Sequence, residues 1–156
     1  MRGPLANIAP MEGFVRFKDR PAPNIDMWCR VYRNLNSPGY FSVLAAEGPL
    51  RGKVLGYAKC VWLSDVRFRI QQAGYKRVQK EQVRNVHGFA VGRFRGCFEE
   101  LPFKPDDIVI RISYQPFKNP FFFDRTDPET AIHCVNEAWA IGPDLVVPRA
   151  REVASW

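Results

Sequence analysis

Residues 53–70 read KVLGYAKCVWLSDVRFRI, a long run rich in β-branched and aromatic residues. Such residues favour β-strand, and a bend or bulge near Ser64-Asp65 is expected to divide this one. In its second half the apolar residues fall on one face, so that Arg67 and Arg69 project together from the other. The stretch therefore predicts a strand with one apolar and one basic side.

A single helix is predicted directly after this strand, over residues 71–84, where Gln, Lys, Arg and Glu are good helix formers. Its apolar stripe is little more than Tyr75 and Val78, so we expect the helix to lie on the surface. Glu81 can partly neutralise Arg77 through an i,i+4 pair. Basic residues four apart share one stripe of this helix: Lys76, Lys80 and Arg84.

Further strands are predicted on both sides of this segment, with turn signals between them. They cover residues 28–35, 40–46, 86–92 and 108–114, with a last strand or hairpin over 137–147. Pro116 and Pro120 argue against a buried central strand, and residues 127–130 predict a turn or cap. The order of strands, one helix and more strands predicts an α+β fold: a single β-rich domain, mainly antiparallel sheet or a partly open barrel with one surface helix.

The chain of 156 residues has the size of one ordinary domain. Residues 1–25 are rich in proline and predict an N-terminal arm with one edge strand; residues 26–150 predict the globular domain and residues 151–156 a C-terminal tail. No apolar run is long enough for a membrane span, and Pro4 and Pro10 interrupt what would be the apolar part of a signal peptide. We therefore expect a soluble, cytoplasmic protein without a membrane partner.

The excess positive charge of the chain lies in one segment, residues 67–95. The whole chain has 23 Lys and Arg against 16 Asp and Glu, a net charge of +7. This segment holds eight basic residues and a single acid, Glu81. The rest of the chain therefore has 15 basic and 15 acidic residues and no net charge. The eight are Arg67, Arg69, Lys76, Arg77, Lys80, Arg84, Arg93 and Arg95. Charge concentrated in this way is typical of a polyanion-binding patch, and we predict that these residues contact the phosphates of DNA or RNA. The alternative is a solvated helix flanked by ordinary strand charges.

Aromatic residues gather around two prolines in residues 114–123. If their rings are exposed, Tyr114 and Phe117 would add stacking of unpaired bases to the phosphate contacts. The alternative is that the prolines form a bend and the phenylalanines close one end of the core. A surface for another protein, or for self-association, is a third interpretation of the same residues.

No cofactor and no metal are predicted. A phosphate-binding GxGxxG motif is absent from the sequence. The cysteines lie more than thirty residues apart, at Cys29, Cys60, Cys97 and Cys134. We expect them to be reduced and mostly buried rather than zinc ligands. His133 does not complete a metal site with its neighbour, because adjacent residues of a strand point to opposite faces.

His87 is the candidate for catalysis. It lies beside the basic segment, on the predicted strand face of Arg93 and Arg95, where it could act as the general base of a small hydrolase or nuclease. Such an enzyme needs acids nearby, and those closest in sequence are Asp65 and Glu81. The alternative is a strand histidine with a satisfied ring nitrogen. We predict no catalytic residue and keep the hydrolase as a further alternative.

Residues 65–92 read DVRFRIQQAGYKRVQKEQVRNVHGFAVG and resemble a pattern found in small uncharacterised proteins of bacteriophages and related mobile elements. In that pattern a basic helix leads into a strand reading like Asn-Val-His-Ala-Phe, and Gly88 stands here at the small-residue position. The resemblance implies a phage-type accessory protein that binds nucleic acid or acts on a host factor, with no known activity to carry over.

The sequence thus predicts a non-catalytic nucleic-acid-binding accessory protein, which would act in the host cytoplasm if a phage encodes it. The first alternative is a protein–protein module, either a virion component or an inhibitor, whose basic and aromatic surface docks on an acidic host protein.

Overall fold

The computed structural model describes residues 9–82 and 86–149 of the chain. The strands are β1 (Val15–Arg16), β2 (Trp28–Arg33), β3 (Phe41–Ala45), β4 (Val54–Ala58), β5 (Cys60–Ile70), β6 (Gly88–Phe98), β7 (Ile108–Ser113), β8 (Phe123–Asp124), β9 (Asp127–Ala131), β10 (Cys134–Ile141) and β11 (Asp144–Pro148). The helix α1 (Gln72–Glu81) joins β5 to β6, and a short 3-10 helix (Pro105–Asp107) precedes β7.

The eleven strands form one antiparallel sheet that is not closed. Its order is β1-β4-β3-β2-β6-β5-β10-β11-β7-β8-β9. The predicted α+β fold, β-rich with mainly antiparallel sheet and one surface helix, is confirmed. Among the described residues no helix has the length and apolar character that crossing a membrane requires.

The sheet curls so that one of its faces encloses the core. Val31, Ala90 and Phe68 lie opposite one another in the central strands β2, β6 and β5, and all three are buried. Val43 of β3 and Ile112 of β7 belong to the same apolar cluster, although their strands are far apart in the sheet order. Such a cluster requires a strongly curved sheet, with the core on its inner side.

A bulge in β5 turns its arginines away from this core. The register of β5 against β6 shifts between Ser64 and Arg67, and Asp65 adopts a left-handed backbone with φ of 51°. Leu63 faces the core before the bulge and Val66 faces it afterwards, because one extra residue reverses the alternation. The predicted bulge is confirmed, and it leaves the next arginine, Arg67, exposed.

Three elements differ from the sequence prediction. The long strand is interrupted at Lys59, because β4 pairs with β3 while β5 pairs with β6 and β10. The strand predicted to end at Gly92 continues to Phe98 in β6. The turn predicted over residues 127–130 is wrong: these residues form the edge strand β9, where a proline is tolerated since an edge has unpaired N–H positions.

The proline-rich N-terminal segment lies against the sheet from residue 9 onward. Ala9 is buried, Met11 forms an isolated bridge with Cys97, and β1 pairs with β4 as the predicted edge strand. Residues 1–8 and 150–156 lie outside the described ranges, and so does the whole of the predicted C-terminal tail, residues 151–156.

All four cysteines are free thiols, and the expectation that most are buried is confirmed. Cys29, Cys60 and Cys97 are buried, and burial raises the pKa of each thiol to about 12. Cys134 is exposed at the start of β10. The three buried thiols therefore stay protonated and inert at neutral pH.

We expect iodoacetamide at neutral pH to label one cysteine of the folded protein, Cys134, because the thiolate is the reactive form and the other three thiols are protonated and shielded. Mass spectrometry of the intact chain measures the number of labels. The variant Cys134→Ser should take none until denaturant is added. Rapid labelling of a second site in the folded chain would contradict the described burial.

The left-handed backbone at residue 65 predicts a clear order of stability for two variants. Asp65→Gly and Asp65→Val both remove the carboxylate, but a β-branched side chain is strained at φ of 51° and glycine is not. The valine variant should therefore have a free energy of unfolding lower by about 1–3 kcal/mol than the glycine variant. Urea unfolding measures the difference, and equal stabilities would argue against the bulge.

Candidate nucleic-acid interface

The outer side of the curved sheet combines arginine and aromatic side chains from β2, β5 and β6. We call this surface the arginine face. It consists of Trp28, Arg30, Trp62, Arg67, Arg69, Phe89, Arg93 and Arg95.

Strand register places these side chains on one side of the sheet. Arg30 lies opposite Val91, and Val91 lies opposite Arg67 in the next strand. Arg69 lies opposite Phe89. Directly opposed residues share a face of a sheet, and the residues that alternate with them are the buried core residues. The arginines of three neighbouring strands thus form one outward-facing row.

Three of the arginines lie over aromatic rings. The guanidinium carbons of Arg30, Arg93 and Arg95 lie 4.9, 4.6 and 5.6 Å from the ring centres of Phe89, Trp28 and Trp62, respectively. Cation–π contacts at exposed sites are each worth about 0.5–1 kcal/mol. They position the planar guanidinium groups while leaving N–H donors available at the edges.

The charges of this face are only partly compensated. Arg93 Nε lies 3.3 Å from Asp65 Oδ2, and Arg95 pairs with Asp26. The other three arginines, Arg30, Arg67 and Arg69, are exposed and have no carboxylate within 4.0 Å in the described part of the chain. The surface therefore keeps three uncompensated positive charges in neighbouring strands.

Two adjoining grooves run across the arginine face. One, of about 540 Å³, contains Arg30 and Arg69. The other, of about 1120 Å³, contains Trp62 and Arg67. Trp28 lines both, so the two grooves adjoin at this residue.

The basic residues of α1 belong to a different surface. Val78 of the helix is 2% exposed and lines a cavity of about 340 Å³, which we call the inner cavity. Val31 and Ala90, which face the core, line the same cavity, so the helix packs on the inner side of the sheet. Three exposed basic residues lie on this helix: Lys76, Arg77 and Lys80. The predicted i,i+4 pair of Arg77 with Glu81 is confirmed, at 2.9 Å.

The structure therefore divides the eight basic residues predicted from the sequence. Arg67, Arg69, Arg93 and Arg95 lie on the arginine face, three lie on the helix, and Arg84 falls outside the described residues. The sequence prediction missed Trp28, Arg30, Trp62 and Phe89. Alternation along β2 puts Trp28 and Arg30 on one face, but only the pairing of β2 with β6 brings that face beside the basic strands.

His87 lies in the inner cavity, and the expectation that it shares a face with the β6 arginines is wrong. It is 4% exposed, its Nε2 lies 2.7 Å from Tyr114 Oη, and its ring packs edge-on to Tyr75. The physical reason is that residue 87 precedes β6, where strand alternation no longer applies. Asp65 and Glu81, the acids that the hydrolase alternative required, are each in an ion pair with an arginine.

The aromatic segment after β7 also faces the inner cavity. Tyr114 stacks on Phe122 with ring centres 4.9 Å apart, and burial raises the pKa of its phenol. Phe122 and Phe123 are buried, as expected if the phenylalanines close one end of the core. Phe117 is 59% exposed at the rim of the cavity. Both predicted stacking residues, Tyr114 and Phe117, thus lie on the inner side of the sheet, away from the arginine face.

In residues 9–82 and 86–149 no group of three or more His, Cys, Asp or Glu side chains is arranged to hold a metal ion. His133 and Cys134 are adjacent and both exposed.

Comparison with known proteins identifies a bacteriophage family and a relative in one bacteriophage. Residues 24–139 match the protein family described as Mycobacterium phage L5 gene 82 protein. The Gene 82 protein of Mycobacterium phage L5 is 29% identical over 122 residues, which cover 74% of this chain and 85% of that protein. No solved structure matches this chain. All eight residues of the arginine face lie within the matched range.

Proposed function

The chain belongs to the family of the Mycobacterium phage L5 gene 82 protein, and on this premise we propose that it is a non-catalytic phage accessory protein that binds single-stranded nucleic acid in the host cytoplasm. The observation that supports this function is the arginine face, where arginines and aromatic rings alternate across three neighbouring strands. Its uncompensated charges would contact phosphates, and its rings and guanidinium planes would stack on bases.

A single strand suits this surface better than a duplex. Aromatic rings on a sheet can stack only on bases whose faces are accessible, and in a duplex those faces are covered by neighbouring base pairs. Reading the major groove requires a protruding helix or ribbon, whereas α1 packs on the opposite side of the sheet through Val78. The broad grooves along Trp28 are open to an extended chain.

The phosphate contacts predict a defined salt dependence. If Arg30, Arg67 and Arg69 each neutralise one phosphate, affinity for a single strand should fall about twenty-fold between about 50 and 200 mM salt. The double variant Arg67→Gln/Arg69→Gln leaves one of these contacts, so its affinity should fall only about three-fold over the same range. Fluorescence anisotropy with labelled single- and double-stranded DNA and RNA measures both values and also the preference among the four ligands.

The matched control is Lys76→Gln/Lys80→Gln, which removes the same charge from the helix. It should keep the salt dependence of the parent protein, because the helix lies on the other side of the sheet. If the helix variant loses binding while the strand variant keeps it, the interface lies on the helix. Absence of nucleic-acid binding by the parent protein at about 50 mM salt would reject the proposal.

Stacking on the arginine face predicts a contribution to single-strand affinity that does not depend on salt and that is lost when a ring is removed. Phe89→Leu should weaken single-strand binding by about 1–3 kcal/mol with an unchanged salt slope, because base–aromatic stacking is lost while the phosphate contacts remain. Phe117→Leu removes an exposed ring from the inner side and should leave the affinity unchanged. The same titrations measure this effect, and an equal loss in both variants would exclude specific stacking on the arginine face.

A protein partner is the second candidate function. Arg93 and Arg95 pair with carboxylates of this chain, Asp65 and Asp26, and these pairs support a partner that presents acidic side chains. An acidic host protein could dock on the same surface. This interpretation gains support if nucleic acid fails to bind and the Arg67→Gln/Arg69→Gln variant loses a host protein that co-purifies with the parent chain.

A further inference from the structure

We infer that the inner cavity is a binding site for a small amphiphilic anion, with a single apolar chain enclosed by the sheet and a carboxylate head at Arg33. This inference rests on residues other than those of the arginine face, apart from Phe89, which also lines the inner cavity. It rests on the apolar wall of the cavity, on its exposed apolar rim and on the position of one unpaired arginine.

The part of the cavity wall that belongs to the core is apolar. Val31, Phe41, Ile112, Phe122 and Ala140 line it, and all five are buried members of the main apolar cluster. The volume of about 340 Å³ lies at the lower end of the range of small-molecule sites. A ligand that binds this cavity in the folded chain would stabilise the fold by mass action.

Exposed apolar side chains are concentrated at the mouth. Five large apolar residues are markedly exposed in the described part of the chain, and three of them line this cavity. They are Leu35, Val86 and Phe117, with exposed fractions of 37%, 36% and 59%. Exposed apolar residues that gather at one opening mark a binding site more strongly than scattered ones do. The entrance therefore favours an apolar ligand.

Arg33 provides the polar end of the site. Among the described residues that line the cavity, it is the one Lys, Arg, Asp or Glu. Arg33 ends β2 and alternates with Val31, so it lies on the core-facing side at the exposed end of the strand. No carboxylate lies within 4.0 Å of it among the residues that the structure describes. A single-chain carboxylate would place its methylenes against the apolar wall and its charge on this guanidinium.

The enclosed volume also limits the ligand class. A cavity of about 340 Å³ accommodates one medium-length chain, and it is small for a two-chain phospholipid. His87 Nε2 and Tyr114 Oη are hydrogen-bonded to each other in the wall, so these two atoms do not oppose an apolar chain. These features together favour a fatty-acid-type ligand.

Isothermal titration of the full chain with sodium decanoate, sodium octanoate and 1-decanol tests this inference. Decanoate should bind with one-to-one stoichiometry. Each buried methylene should tighten binding about four-fold, so octanoate should bind roughly fifteen-fold more weakly. Decanol should bind more weakly than decanoate because it cannot pair with the arginine. Absence of decanoate binding, or equal affinity for the two acids, would overturn the inference.

Two variants and one control variant test the geometry without disturbing the core. Arg33→Gln should reduce the affinity for decanoate to about that for decanol, whereas Arg30→Gln, on the same strand but the opposite face, should leave it unchanged. Phe117→Asp places a negative charge at the exposed rim and should weaken decanoate binding more than decanol binding. If Arg33→Gln and Arg30→Gln lower the affinity for decanoate equally, the assigned position of the carboxylate is refuted.

Discussion

The antiparallel pairing of β5 with β6 is the interaction on which both surfaces of this protein depend. The two eleven-residue strands lie at the centre of the sheet, with β2 on one side and β10 on the other. Their register puts Phe68 and Ala90 in the core and Arg67 and Arg69 in solvent. A slip of one residue would exchange these faces, so burial of the apolar side chains also determines where the positive charge appears.

The curvature of the sheet separates two sites of different chemistry. Its outer side carries the arginine face, which is open, cationic and suited to an extended polyanion. Its inner side encloses the core and leaves the inner cavity at the end covered by α1, close to Phe117. The helix therefore helps to close the inner cavity. Its lysines lie on a different surface from the arginines of the strands that precede and follow it in sequence.

Several features of the fold follow from local patterns in the chain. The alternation around Arg67 and Arg69, the bulge at Asp65 and the single helix could be predicted because each depends on neighbouring residues only. The strand β9 could not, since its residues have weak β propensity and are held by pairing with β8. Strand alternation gives the wrong side for His87, because this residue precedes β6 and alternation applies only within the strand.

Composition and periodicity were sufficient for the fold class and for the existence of a localised basic segment, because these properties reside in short stretches of chain. Which basic residues share a surface depends on contacts between residues far apart in sequence. The pairing of β2 with β6 places Trp28 and Arg30 on the same surface as the arginines of β5 and β6. The packing of Val78 against the inner side of the sheet places the basic residues of the helix on a different surface. Such pairings depend on the complete sheet order, which no local periodicity encodes.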